Sequence, residues 1–304
     1  MIRSLRPSDL VALVLFNSKA LTNQAQSKDR LSKGDEAFHP LRFFLEQWFH
    51  LEKRRRTVIH FYNGRIRSLV SARRRSGPRV WEIDCLLLEE GGGDICFHLL
   101  EKLSAVGGSI GIEKVFLRLP ANSPLIEATK QAGFSHYLAE FLYHSEGRGT
   151  EGTPAPNIIR SKLPEDQYAL FQLYSAAVPI AVRSIEGMTF QEWQETKDQS
   201  SGKEFVYEKD GRVSGWLRII VHKGTGYFEI MAHPLEEDKL GLLMNCSLAP
   251  LADKSPLLCM ALEFQGQLRQ LLVKEGFEEI AEYSTFVKQL TAWAKQPSLI
   301  PMPA

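Results

Sequence analysis

The feature that most constrains this chain is an order of predicted elements that recurs after about half its length. Asn63-Gly64 and Asp210-Gly211 each stand between two runs with strand-like alternation, and such dipeptides supply the positive φ angles of two-residue hairpin turns. The glycines of the two turns are 147 residues apart, and so are Glu82 and Glu229 on the strand predicted next. One spacing shared by several elements predicts two units of one fold.

Both halves also begin and end in the same way. Residues 2–9 and 159–166 each predict a short strand that leads into a helix. Near its end, each half has a buried strand, a helix, a Gly-Phe step and a final strand, predicted at 137–144 and 280–288. The glycine of each step follows a helix, where a left-handed residue is common. We therefore expect each half to form its own sheet.

The segment between the halves predicts the domain boundary. Residues 145–157 read SEGRGTEGTPAPN, a composition of Gly, Pro and Thr without apolar periodicity that is typical of a linker. A length of 304 residues suits two domains of about 150 residues each. We therefore expect an N-terminal domain at 1–144, a C-terminal domain at 158–295 and a loose proline-rich tail at 296–304.

Composition narrows the class of protein. The four cysteines are scattered singly and no His–Cys group has metal-ligand spacing, so we expect no metal site. The longest apolar run near the N-terminus, at 10–16, is too short for a membrane span and lacks a cleavage site of small residues. We therefore expect a cytoplasmic protein whose oligomeric state the sequence does not indicate.

Charge is distributed unevenly between the halves. Residues 1–150 carry 22 Lys and Arg against 16 Asp and Glu, whereas residues 151–304 carry 15 against 20. Ten of the positive charges lie between residues 53 and 79, an interval without acidic residues. Such a cluster could bind an anionic partner such as nucleic acid, or it could be a solvated face or a dock for the acidic second half. The candidate patch consists of Arg54, Arg55, Arg56, Arg73, Arg74 and Arg75.

The order of elements resembles that of the GNAT N-acetyltransferases. The segment that starts at Asn122 and ends with Gly133-Phe134 is similar to that family's spacing of asparagine, helix and Gly-Phe, while Gln265 replaces the asparagine in the second half. The resemblance implies an α/β (α+β) fold of two tandem GNAT-like domains, each a mixed, mostly antiparallel splayed sheet flanked by helices. It also implies that acetyl-CoA enters between the splayed strands, with its pyrophosphate on the free N–H groups at the start of a helix.

Both halves depart from the family where the cofactor should bind. The family pattern places an Arg or Gln before two glycine-type positions, but Glu90 and Glu237 stand at the first of these positions. A carboxylate there repels phosphate. Leu240 and Leu242 also put side chains where a bare backbone is expected. The resemblance implies a cofactor site made by Leu88, Gly91, Gly92, Gly93, Asp94, Ile95 and Asn122.

The catalytic positions are similarly incomplete. In the family an acidic residue on the fourth strand often deprotonates the amine, which implies Glu82 in the first half and Glu229 in the second. A tyrosine usually protonates the leaving thiolate, but Thr129 and Leu272 stand at that position, and Tyr137 is the candidate replacement. The acceptor would lie against residues 174–193, with Arg183 as a candidate ligand for a carboxylate.

Two functions follow from these observations. The first is an acyltransferase that moves an acetyl group from acetyl-CoA to a small-molecule or protein amine, with the first half binding the cofactor. The second is a tandem module that keeps the fold, has lost the cofactor and serves as a binding or structural protein, with the basic hairpin as the contact for an anionic partner. The sequence identifies neither the acyl group nor the acceptor.

Overall fold

The computed structural model describes residues 1–16, 21–33, 55–89, 92–147, 159–198 and 202–290. Residues 148–157 of the predicted linker and the predicted tail lie outside this part of the chain. The strands are β1 (Ile2–Ser4), β2 (Arg55–Tyr62), β3 (Arg65–Arg74), β4 (Val80–Leu87), β5 (Lys114–Pro120), β6 (Ser135–Ser145), β7 (Ile159–Ser161), β8 (Lys203–Lys209), β9 (Arg212–His222), β10 (Thr225–Ala232), β11 (Leu257–Leu262) and β12 (Glu278–Gln289).

Helices of the described residues pack on the sheet formed by these strands. They are α1 (Leu10–Val14), α2 (Lys28–Lys33), α3 (Gly93–Ser109), α4 (Ile126–Gln131), α5 (Gln167–Ala177), α6 (Ile180–Glu186), α7 (Phe190–Thr196), α8 (Leu240–Leu248) and α9 (Gly266–Lys274). None of the helices in the described ranges combines the length and the apolar character needed to cross a membrane.

The two predicted hairpins are confirmed. β2 and β3 are joined at Asn63 and Gly64, which have φ angles of 49° and 75°, and β8 and β9 are joined at Asp210 and Gly211, with 52° and 73°. Positive φ at both central residues gives the turn a twist that matches the strands it joins. The predicted order of elements is therefore present in each half.

Each half also begins with the same local arrangement. Arg3 makes two hydrogen bonds to the carboxylate of Asp9, and Arg160 does the same to Asp166. Both aspartates also accept a hydrogen bond from the backbone N–H three residues before them. The first strand is thus tied to the following 3₁₀ turn in the same way in both halves.

The expectation of two separate sheets is wrong, because the halves exchange their last strands. The strand order is β1-β2-β3-β4-β5-β12-β6-β11-β10-β9-β8-β7. The final strand of the second half therefore pairs with β5 of the first, and β6 of the first pairs with β11 of the second. Phe286 on β12 is accordingly buried in the core of the first half, whereas Phe141 and Tyr143 on β6 are buried in the core of the second.

Both halves have the expected splay between two parallel strands. β4 and β5 pair only as far as Ile83 and Leu117, and β10 and β11 only as far as Phe228 and Cys259. Beyond these pairs the strands separate. β4 additionally has a bulge against β3, where the pairing skips Asp84, while β10 pairs with β9 without interruption.

Candidate functional site

The opening between β4 and β5 is filled by the chain itself. Asn23 accepts a hydrogen bond from the backbone N–H of Leu86 (2.7 Å) and donates one to the carbonyl of Asp84 (3.0 Å), and the next residue donates to the carbonyl of Leu86 (2.9 Å). On the other side of the opening, Gln26 donates to the carbonyl of Arg118 (3.0 Å). The segment 23–26 therefore binds to both strands and closes the first opening.

The opening between β10 and β11 is bridged by one side chain. Gln265 donates to the carbonyl of Ile230 (2.8 Å) and accepts from the backbone N–H of Leu262 (2.9 Å). Gln265 is only half-buried, and all three residues line a cavity. The second opening therefore leads into free space inside the protein, past a single carboxamide.

This cavity has a volume of about 190 Å³ and lies where the two halves meet. Its apolar wall comes mostly from the second half and includes Leu170, Val178, Val182, Trp193 and Phe264. Its polar wall contains five cations and five carboxylates, contributed by both halves. A site with an apolar wall and convergent polar groups is typical of small-molecule binding.

A hydrogen-bonded group of two tyrosines and a glutamate lies on the cavity wall. Tyr137 of β6 donates to Glu186 at the end of α6 (3.2 Å), and Tyr174 of α5 donates to the other carboxylate oxygen (3.4 Å). Burial raises the pKa of Glu186 above its usual range and raises the pKa of both tyrosines. Perturbed acids that line one cavity are typical of a site where protons are exchanged.

Glu229 of β10 also lines the cavity, in a different electrostatic setting. Its carboxylate forms ion pairs with Lys28 (3.2 Å) and Arg218 (3.6 Å) and accepts a hydrogen bond from Tyr227 (2.7 Å). Burial alone would raise the pKa of Glu229, but these three partners together lower it. Glu229 is thus held in the ionised form, whereas burial favours protonation of Glu186.

This chain resembles known proteins in its fold and not detectably in its sequence. No protein-family model matches this sequence, and no curated protein sequence matches it significantly. Among solved structures, a tandem GNAT protein from the clavulanic acid biosynthesis pathway matches 96% of this chain and 98% of its own, with a TM-score of 0.56 and 11% identity. The fold is the tandem GNAT fold.

Other structures with the GNAT fold match in the same way. A GCN5-related N-acetyltransferase from Sphaerobacter thermophilus matches over 95% of both chains, with a TM-score of 0.55 and 14% identity. N-myristoyltransferase from Saccharomyces cerevisiae matches 96% of this chain and 80% of its own, with a TM-score of 0.53 and 12% identity. The predicted fold class is therefore confirmed, while identities this low say nothing about the reaction.

Within this GNAT fold, the predicted base Glu82 lies outside the cavity. Its side chain is 3% exposed and forms ion pairs with Arg73 (3.3 Å), Arg75 (3.6 Å) and Arg118 (3.7 Å). Because this carboxylate is enclosed by three guanidinium groups and does not line the cavity, it cannot reach an acceptor amine there. We therefore interpret Glu82 as a structural residue.

The predicted exposed patch of arginines does not form. The hairpin does place Arg55 opposite Arg73, but Arg55 is buried in a two-fold hydrogen bond to Asp84 and Arg73 pairs with Glu82. Arg75 is buried, lies over the ring of Phe116 and pairs with Asp198 of the second half, so it docks the halves together. Of the remaining residues, Arg56 and Arg74 are half-buried, and Arg54 lies outside the described ranges.

Most of the predicted cofactor residues of the first half follow β4 along the chain, and Asn122 follows β5. Gly92 and Gly93 stand at the start of α3, and Gly93 faces open space. Asp94 and Asn122 are exposed. Leu88 and Ile95 pack against the core of the first half, and Gly91 lies outside the described residues. None of the predicted cofactor residues in the described ranges lines the cavity.

The corresponding helix start in the second half is acidic. Glu236, Glu237 and Asp238 precede α8, and two of them are neutralised by Lys209 (2.7 Å) and Lys239. A helix start with three acidic residues attracts a diphosphate only weakly, as the position of Glu237 predicts.

The predicted acceptor wall is present, but its predicted ligand residue is not part of it. Tyr174, Val182 and Trp193 line the cavity, whereas Arg183 donates to the carbonyl of Val178 (3.0 Å) and is not among the lining residues.

Glu186 and Asn23 are among the residues of the cavity and the openings that were not predicted from the sequence. Glu186 lies within the predicted wall, so an acidic residue in an apolar segment was the available signal. No feature of the sequence connects Asn23 with β4, because the contact joins residues more than 60 positions apart.

Within the described part of the chain, no group of three or more His, Cys, Asp and Glu residues is arranged as metal ligands. The polar wall of the cavity instead contains ion pairs between acidic and basic side chains, such as Lys28 with Glu229 and Arg118 with Glu140.

Proposed function

We propose that this protein is a GNAT-type acyltransferase that moves an acetyl group from acetyl-CoA to a primary amine bound in the cavity between its halves. The observation that supports this most is the position of the cavity. It begins where β10 and β11 separate, and it places Tyr137, Glu186 and Tyr174 on one wall. An enclosed site with perturbed acids next to a splayed parallel pair is where this fold would perform acyl transfer.

The first opening does not fit acetyl-CoA, because the N–H and carbonyl of Leu86 are already bonded to Asn23 and its neighbour. The second opening fits the pantetheine arm in chemical terms. The carbonyl of Ile230 and the N–H of Leu262 both bind the carboxamide of Gln265, and pantetheine carries the same amide groups. When bound, acetyl-CoA supplies a thioester as the acyl donor.

In this proposal the ionised form of Glu186 takes the proton that the acceptor amine loses. A carboxyl group with a pKa raised by burial is a stronger base than an exposed one. Tyr137 holds the proton needed by the leaving thiolate, since burial keeps its hydroxyl protonated at neutral pH. Glu229 keeps the polar wall ordered through Lys28 and Arg218. Glu82 has no part in this mechanism.

The test is release of free thiol from acetyl-CoA in the presence of a panel of primary amines. We expect Glu186→Gln and Tyr137→Phe each to lower the rate about 100-fold or more, as for loss of a general acid or base. Tyr143→Phe is the matched control, because Tyr143 is on the same strand and bonds to Glu279, away from the cavity. An equal loss in all three variants would contradict these roles.

The second candidate is a tandem module that binds a ligand in the cavity without acyl-CoA. It is favoured by the carboxamides of Asn23 and Gln265, which occupy both openings. Thermal unfolding with acetyl-CoA distinguishes the two functions, because a ligand at 100 times its Kd stabilises a protein by about 2.7 kcal/mol. A shift that grows in Gln265→Ala supports the enzyme. No shift at millimolar acetyl-CoA supports the module.

A further inference from the structure

The cavity has room for one small apolar group. Its volume of about 190 Å³ exceeds the roughly 150 Å³ that holds benzene in an apolar protein cavity. The side chains of Leu170, Val182, Trp193 and Phe264 offer that group an apolar surface. A ring or a branched aliphatic chain with one polar substituent therefore matches the size and the lining.

The five cations of the polar wall differ in whether they have a carboxylate partner. Four of the five have carboxylate partners: Lys28 pairs with Glu229, Arg75 with Asp198, Arg118 with Glu140 and Arg218 with Glu204 and Glu229. The fifth, Lys197, has no carboxylate of the described residues within ion-pair distance of its Nζ. A cation that lines a cavity without a counter-ion is a binding group for an anion.

Lys197 is nevertheless held in place. Its Nζ lies 3.4 Å from the centre of the Trp193 ring and donates to the side-chain carbonyl of Gln167 (3.0 Å). Its backbone carbonyl accepts hydrogen bonds from both the N–H (3.0 Å) and the hydroxyl of Ser76 (2.9 Å), which belongs to the first half. A cation fixed at both ends loses little further freedom when it binds a ligand.

We propose that the cavity binds a small carboxylate with a ring-sized apolar body, whose carboxylate pairs with Lys197. This inference does not require acyl transfer to take place. Where the reaction proposed above does occur, the acceptor amine would carry a carboxylate as well, as amino acids do.

The test is calorimetric titration of the full-length protein with three probes that share one ring: phenylacetate, its uncharged amide phenylacetamide, and the cationic benzylamine. We expect phenylacetate to bind about tenfold or more tightly than either of the others, which corresponds to one charge-assisted hydrogen bond. Lys197→Met should lose this preference and still bind the amide, which also shows that the variant is folded. Lys209→Met, at an exposed lysine paired with Glu236, should behave as the parent.

The pH dependence gives a second readout. Burial lowers the pKa of Lys197 to about 8, with Lys162 and Arg218 acting in the same direction and Glu204 opposing them. Affinity for phenylacetate should therefore be constant near pH 7 and fall about tenfold per pH unit above pH 8. Equal affinity for all three probes, tightest binding of benzylamine, no binding of any probe at millimolar concentration, or unchanged preference in Lys197→Met would overturn the proposal.

Discussion

The two openings of the sheet show how one fold can be closed to different degrees. In the first half, the segment 23–26 hydrogen-bonds to both β4 and β5, and β4 keeps a bulge at Asp84. In the second half, the Gln265 side chain alone among the described residues hydrogen-bonds to both sides of the gap, β10 has no bulge against β9, and the space behind the gap is the cavity. A bulge and a glycine-rich helix start therefore do not identify the open half, because closure depends on a segment distant in sequence.

The largest expected effect concerns the junction that both halves share. Arg118 of β5 and Glu140 of the exchanged strand β6 form a two-fold hydrogen bond, and each side chain is 4% exposed. Arg118→Ala should lower the free energy of unfolding by about 3–5 kcal/mol, because it leaves Glu140 buried and without its main partner. The double variant Arg118→Met, Glu140→Met should lose less than this single variant in urea denaturation. A near-neutral Arg118→Ala would show that the exchanged strand is not anchored here.

The carboxamides of Asn23 and Gln265 should contribute unequally to the free energy of unfolding. Asn23→Ala leaves the buried N–H of Leu86 and the carbonyl of Asp84 without partners, at a total cost of about 3 kcal/mol. Gln265→Ala should cost only about 1 kcal/mol, because Gln265 is half-buried and water can replace it. Urea denaturation of both variants measures the difference. Equal losses would mean that the two openings are closed to the same degree.

Asp9 and Asp166 occupy matching positions in the two halves, so they should contribute similarly to the free energy of unfolding. Asp9 and Asp166 each bind an arginine and a backbone N–H, and both are buried. Substitution of either by Ala should cost about 1–2 kcal/mol, a value typical of a lost cap with a partly exposed ion pair. Thermal unfolding of the two variants should give similar shifts. A much larger loss at one site would mean that the two halves are not energetically equivalent at this position.

The smallest expected effect is a change of stability with pH, which arises from Glu186 in the second half. Because burial raises the pKa of Glu186, the folded state binds its proton more tightly than the unfolded state does. The contribution of Glu186 to stability should therefore be fully present below the ordinary glutamate pKa of about 4.3 and be lost as pH rises through the raised pKa, at about 1.4 kcal/mol for each pH unit that separates the two values. Glu186→Gln should lack this fall, so it gains relative to the parent between pH 4 and pH 8. Urea denaturation across this range measures the difference, and a constant difference would contradict the raised pKa.

Much of the fold could be predicted because its signals are local. The hairpin turns follow from Asn63-Gly64 and Asp210-Gly211, and Gly133 and Gly276 both adopt φ of 82° after their helices, as the Gly-Phe steps predict. The strand exchange could not be predicted. The apolar pattern of β6 is the same whether it joins its own half or the other, so the sequence does not specify the neighbour.

The candidate site was less predictable, since it depends on contacts between distant residues. The arginines around residue 73 lack acidic neighbours in sequence, yet Glu82, Asp84 and Asp198 neutralise them in space. Tyr137 was a candidate acid without a defined position, and the exchanged strand brings it to Glu186. Periodicity and motifs describe one element at a time, whereas this cavity needs elements of both halves.

The claim that the second opening is the functional one is tested most directly by a crystal structure of the full chain grown with acetyl-CoA. We predict electron density for the pantetheine arm between β10 and β11, with the Gln265 side chain turned away from Ile230 and the segment 23–26 unchanged. Density between β4 and β5, with Asn23 displaced from Leu86, would contradict it.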